Sequence, residues 1–111
     1  MNDSFITNWK SQLKKGTLTF IILNILHENE FYGYELIEQL RKHAKMDIAE
    51  GTLYPLMNRL KTEELVSSKW VEQGTGIPRK YYSLTESGKN ILREMNSYWN
   101  HLQTITQKII K

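Results

Sequence analysis

Cysteine is absent from this chain. That removes disulfides, thiolate metal sites and thiol redox sensing, and it fits a reducing cytoplasm, the expected location. A long apolar run is also missing. The nearest approach, Leu18 to Leu26, follows Lys14 and Lys15 as in a signal peptide, yet it contains Thr19 and Asn24. It runs into His27-Glu28-Asn29-Glu30 with no small-residue cleavage site, so export is not expected. It is also far below the roughly 20 apolar residues of a spanning helix, so no membrane segment is expected. Nor does one charge dominate: 15 Lys and Arg against 12 Asp and Glu give +3. Such a balance permits a polyanionic partner without requiring one, and the placement of charge matters more than its sum.

Catalytic signatures are missing as well. His27-Glu28 opens like a zinc-protease HExxH, but the fifth position is Phe31, so two imidazoles cannot share a helical face. His43 and His101 stand alone, and no GxSxG, phosphate loop or dinucleotide glycine fingerprint occurs. Gly74-Thr75-Gly76 lies in a turn with no helix N-terminus behind it to receive a phosphate. Without a nucleophile and base in partnership, neither an enzyme nor a cofactor or metal site is expected.

What remains is 111 residues with 40% hydrophobic and 24% charged content, ordinary for one small globular domain. Leu53, Leu56, Met57 and Leu60 recur at helical spacing and form one apolar stripe. The opposite face carries Gly51, Pro55, Asn58, Arg59 and Thr62, with Thr52 and Tyr54 on its flanks. Proline fits best near a first turn, so this helix is expected to start at Glu50 or Gly51. Its polar, mostly small outer face suits a DNA major groove, although an ordinary core helix with a solvated face shows the same pattern. Val66 to Gln73 and Arg79 to Leu84 read as strands, joined by the turn Gly74 to Pro78. Alternation puts Val66, Ser68 and Trp70 on the inner face with Tyr82 and Leu84, leaving Lys69, Arg79 and Tyr81 outside. The cations Arg79 and Lys80 beside the turn suit phosphates; a solvated turn is the bland alternative. Helix followed by basic hairpin reads as a winged helix-turn-helix, mainly α with a small β-hairpin.

A first helix from Trp9 to His27 is apolar on several sides, with Leu13, Phe20 and Leu23 off its main stripe of Leu18, Ile21, Ile22, Ile25 and Leu26. Such a helix must be covered on several sides, more than so small a domain provides. A short second helix with Tyr34, Leu36, Ile37 and Leu40 ends near Lys45, and Gly33 near its start permits close approach. Met46-Asp47-Ile48 connects it to the reading helix. Thr85 is the expected N-cap of a last helix from Ser87 to Lys111, about 36 Å long. Its seam of Leu92, Met95, Trp99, Leu102, Thr106 and Ile109, widened by Ile91, Tyr98 and Ile105, resembles a coiled-coil stripe seeking a twin chain. The expected division is a DNA-binding body, 1–84, and a dimerisation helix, 85–111, packed on the first helix within one structural domain.

The runs GTLYPLMNRL (Gly51 to Leu60), PRKYYSLTESG (Pro78 to Gly88) and YGYEL (Tyr32 to Leu36), in this order and spacing, resemble the PadR family of bacterial winged-helix transcriptional regulators. The resemblance spans the chain from about Lys10 onward. It implies a homodimer that usually represses transcription, with Thr52, Leu53, Tyr54, Pro55 and Arg59 in the major groove and Arg79-Lys80 in the wing. The candidate DNA contacts are thus Tyr34, Gly51, Thr52, Tyr54, Pro55, Asn58, Arg59, Thr75, Arg79 and Lys80, and the partner is a double-stranded, two-half-site operator. A single helix after the wing resembles the smaller PadR subfamily. In its multidrug-sensing members a tryptophan at the place of Trp99 lines a cavity between subunits, which takes planar aromatic ligands. The resemblance puts Leu13, Phe20, Leu23, Met95 and Leu102 around it, where a hydrophobic or planar aromatic effector would bind and release DNA. Asn96 and Gln103 stand where that pattern has an aromatic and a carboxylate, so a cationic ligand is not implied. Trp99 as plain core in the dimer seam is the competing reading. For the whole chain the competitor is a winged-helix protein-interaction module, which would expose aromatics or large aliphatics in place of the small polar face of Gly51 to Thr62.

Overall fold

A computed structural model describes residues 2–74 and 76–111. The elements run α1 (Asp3–Glu28), β1 (Phe31–Tyr32), α2 (Gly33–Ala44), α3 (Glu50–Thr62), β2 (Val66–Val71), β3 (Arg79–Leu84) and α4 (Glu86–Ile109). The expected class, helices around a small antiparallel hairpin, is the class observed, and the long last helix is present. The sheet has a third strand that the pattern did not reveal: the order is β1-β3-β2, with Phe31 paired to Tyr82 and Tyr32 to Tyr81. Two residues are too few to show a period; only the free edge of β3 makes them a strand.

The core collects one face of each element. Ile22 and Leu23 of α1, Leu36 and Leu40 of α2, and Leu53 and Met57 of α3 are fully enclosed. Val66, Tyr82 and Leu84 of the hairpin and Leu92 of α4 close the remaining side. The apolar stripes read from spacing on α2 and α3 are therefore faces that pack, since burial of apolar surface stabilises by roughly 25 cal/mol per Å², whereas the stripe of α4 is buried only at Leu92 and half-buried at Met95 and Trp99.

Local chemistry sets the boundaries. Glu35 accepts the Tyr32 amide at 3.1 Å, satisfying a donor at the start of α2. Lys45 takes the left-handed conformation (φ 55), ending α2 one residue before the expected limit, and Met46 N–H reaches Leu40 O at 3.1 Å. Thr85 caps α4 as expected: its hydroxyl accepts the Gly88 amide at 2.9 Å and donates to Glu64 O at 2.6 Å. That one hydroxyl ties the start of α4 to the turn after α3. Gly88 is required there, since a Cβ would lie 3.0 Å from the Leu65 carbonyl carbon and closer still to its oxygen.

Some expectations need correction. Helix α1 begins at Asp3, not at Trp9, because no breaker intervenes and Asp3 suits a first turn. Helix α3 starts at Glu50 as expected, which puts Pro55 in its second turn and not its first; the carbonyl that loses its donor is that of Gly51, on the exposed side where water replaces it. Strand β2 stops at Val71, short of Gln73, whose side chain turns back to Val71 O at 3.3 Å. Trp70 shares the face of Tyr82 as alternation requires, yet it is 67% exposed. There Trp70 lines an open cleft and not the core, and its partner across the ladder is Lys80. Leu23, expected beside the ligand cavity, is fully enclosed in the core.

The molecule is elongated. Its extents are 56 × 34 × 22 Å and its radius of gyration 16.2 Å, against roughly 13 Å for a compact chain of this length. The excess comes from an arm made by the first half of α1 and the second half of α4, where nearly every residue is exposed. Among the described residues no helix is long and apolar enough to cross a membrane.

Candidate nucleic-acid interface

Helix α3 turns Leu53, Met57 and Leu60 inward, so its opposite face is left outside: Gly51, Thr52, Tyr54, Pro55, Asn58 and Arg59 are all exposed. With no acidic residue among them after Glu50, this face offers donors and one guanidinium to a partner. Arg59 sits in the last turn. Glu50, in the first, suits the helix dipole there.

Tyr54 joins α3 to the start of α2. Its ring lies over Gly33, where a Cβ would come within 2.7 Å of the ring carbons, so a larger residue here would have to displace the Tyr54 ring. Burial, and then the Glu50 carboxylate, hold the Tyr54 hydroxyl above its ordinary range. Tyr82, buried beneath, is raised for the same reason, with Tyr54 contributing. Tyr34, on the first turn of α2, is 56% exposed, and its hydroxyl is raised chiefly by the Glu38 carboxylate beside it.

The wing completes a cleft. A cavity of about 520 Å³ is lined by Tyr32, Gly33 and Tyr34 from the α2 side, Tyr54 and Asn58 from α3, and Trp70, Pro78, Arg79, Lys80 and Tyr82 from the hairpin. It is thus walled by aromatics and bears two cations, Arg79 and Lys80. The Arg79 guanidinium lies 4.5 Å above the Tyr32 ring, and Lys80 Nζ lies 5.7 Å from the Trp70 ring. Lys69, in contrast, pairs with Glu30 at 3.4 Å. Tyr34, Tyr54, Asn58, Arg79 and Lys80, chosen from sequence, meet in this one cleft. Gly51, Thr52, Pro55 and Arg59 lie on the adjoining helix face, and Thr75 lies outside the described residues. Sequence alone does not single out Tyr32 and Trp70 as lining residues: Tyr32 belongs to a strand too short to show a period, and alternation places Trp70 on the inner face.

A second cavity, of about 510 Å³, lies in the arm. Leu13, Gly16, Thr17 and Phe20 of α1 face Met95, Tyr98, Trp99 and Leu102 of α4 across it. The Trp99 ring is 5.4 Å from that of Phe20, inclined at 38°. Five of the six residues expected around a ligand are therefore brought together, and Leu23 is not. Asn96 donates to Asn24 Oδ1 at 3.1 Å, a polar tie across the helix crossing. Among the described residues no cluster of metal-ligating side chains occurs.

With this geometry in view, comparison with known proteins gives a consistent result. Residues 22–94 match the model of the transcriptional regulator PadR-like family. An uncharacterised protein of Lysinibacillus sphaericus is 33% identical over 98 residues, covering 86% of this chain and 90% of its own. The crystal structure of a PadR family transcriptional regulator from Eggerthella lenta superposes with a TM-score of 0.86 at 37% identity, covering 96% of this chain and 93% of that one. Bacillus subtilis PadR, solved in complex with operator DNA, superposes with a TM-score of 0.65 at 28% identity; the match covers 70% of this chain but only 45% of the Bacillus protein.

Proposed function

The chain belongs to the transcriptional regulator PadR-like family, and from that premise we propose that it is a homodimeric repressor that binds a two-half-site operator through α3 and the wing. The observation that carries this reading is the exposed polar face of α3 standing beside a cleft whose rim bears Arg79 and Lys80. A groove roughly 12 Å wide admits α3, and its outer side chains then reach base edges while the wing cations lie on the phosphate backbone. Bacillus subtilis PadR is solved in complex with operator DNA, which supports operator DNA as the partner. In this reading residues 1–84 hold the DNA-binding body and residues 85–111 the dimerisation helix. Twin reading helices then fall about 34 Å apart on one face of the duplex.

An effector fits the same scheme. The α1–α4 cavity is apolar on most of its wall and carries a tryptophan and a phenylalanine in contact, which suits a planar aromatic molecule. Binding there would alter the crossing of the helices that set the distance between reading heads, releasing DNA.

Selection of bound fragments from the genomic DNA of the source organism, using the purified full chain, tests the main reading. Enrichment of a palindromic motif with half-sites one helical turn apart is expected. No enrichment over input would overturn DNA reading, and an enriched motif without symmetry would overturn the dimeric mode. Exposed Trp70 and Ile77 on the hairpin favour a second reading, a protein-binding wing. Failure to enrich DNA would leave that reading in place.

A further inference from the structure

Both cations of the wing are seated on aromatic rings, and among the described residues neither has a carboxylate partner. The ion pairs there are Arg41 with Glu38, Lys69 with Glu30, and Lys89 with Glu86. The seat of Arg79 is the better defined: its guanidinium is centred 4.5 Å over Tyr32, well inside the range in which the ring quadrupole attracts a cation. Tyr32 is itself fixed. Its Cα partner is Tyr81, its ring meets that of Tyr81 edge-on at 5.4 Å, and its amide is held by Glu35. A carboxylate would hold Arg79 equally still, but it would occupy the N–H groups and cancel the charge. An aromatic face orients the planar group and leaves its edge donors free.

We propose that Tyr32 is a positioning residue of the wing, holding the Arg79 guanidinium in advance at the orientation in which it meets a DNA phosphate. This rests on the DNA-binding reading above. Arginine loses much rotamer freedom when it is ordered, and a side chain ordered before the encounter loses less on binding. Tyr32 need not touch DNA to raise affinity. The two-residue strand β1 then has a purpose beyond extending the sheet, since it delivers this ring to Arg79 at the turn end of the hairpin.

The test uses the full chain and a fluorescein-labelled mixed-sequence duplex, with affinity measured over a salt series. Tyr32→Leu should weaken binding about two- to fivefold, while Tyr32→Phe, which keeps the ring, should bind as wild type. Because the phosphate contact persists, the salt slope of Tyr32→Leu should match wild type. Arg79→Gln should lower that slope by about one unit. In the Arg79→Gln background Tyr32→Leu should add nothing, as expected of a residue that acts only through Arg79. In the free chain, the Arg79 δ-methylene protons should show a ring-current shift that Tyr32→Leu abolishes. If Tyr32→Leu does not fold, Tyr32→Val, a strand-compatible side chain, takes its place. Wild-type affinity in the ringless variant, an equal loss in the Arg79→Gln background, or no ring-current shift in wild type would each overturn the positioning role. A wild-type chain that binds no duplex is a different result, and it sinks the DNA-binding reading itself.

Discussion

At the scale of single residues, the two glycines with close neighbours act differently, and substitution should separate them. Gly88 faces backbone, the Leu65 carbonyl, which cannot swing aside without dragging the turn that Thr85 ties to α4. Gly88→Ala should therefore destabilise the fold by about 1–3 kcal/mol, read as a lower urea midpoint at unchanged slope. Gly33 faces the side chain of Tyr54, which lies partly in solvent and can rotate away. Gly33→Ala should cost little stability but displace a group on the exposed face of α3, so, if that face meets DNA, weaker binding at near-normal stability is expected; an unfolding midpoint that falls as far as for Gly88→Ala would contradict this. Arg59 belongs to the same scale. If it bonds a base or phosphate, Arg59→Ala should lower operator affinity by about 1–3 kcal/mol with the oligomeric state intact. Unchanged affinity for a fragment recovered by selection would remove it from the interface. The Gly33 role was partly legible, since a glycine at a helix start signals close approach, but its neighbour was not: Tyr54 lies 21 residues on, and no local pattern links the pair.

At the scale of elements, helices were easier to read than strands for a physical reason. Leu53, Met57 and Leu60 repeat on one face of α3 and Leu36 and Leu40 on one face of α2, so each helix announces its inner side. The hairpin announced its alternation but not its length of contact. Parity correctly placed Trp70 with Tyr82, yet whether a residue on the inner face meets core depends on where the helices end, which is a tertiary fact. Strand β1 is wholly tertiary, existing because the edge of β3 offers unpaired backbone groups beside it. The wing's contribution can be isolated at this scale. Joint replacement of Arg79 and Lys80 by Gln should weaken specific and non-specific duplexes alike and make the salt dependence shallower by about one unit per lost phosphate contact. Fluorescence anisotropy across a salt series reads both quantities, and an unaltered slope would take the wing off the backbone.

For the whole molecule, the arm decides the argument. Phe5, Ile6, Trp9 and Leu13 of α1 and Tyr98, Leu102, Ile105 and Ile109 of α4 are exposed together on it, more apolar surface than a solitary small domain ordinarily leaves in water. The stripe along α4 foretold this surface from spacing alone, whereas the cavity between α1 and α4 needed the helix crossing at Phe20 and Trp99 to appear. If a twin chain covers the arm, Leu102→Glu would place a carboxylate in an apolar seam beside its symmetry mate, where desolvation and like charge both oppose association. The dimer should dissociate, and tight operator binding should go with it, because a single head forfeits the linked second contact. Sedimentation should then report monomer or aggregate; a dimer that still holds its operator at wild-type affinity would refute the seam. The cavity permits a sharper test, since its Trp99 touches Phe20 and reports on whatever enters. Planar aromatic compounds that release DNA should quench tryptophan emission in wild type, and Trp99→Phe should abolish that quenching even though Trp9 and Trp70, both largely exposed, still emit. Quenching that survives the substitution would move the effector away from the arm and leave Trp99 as a packing residue between two subunits.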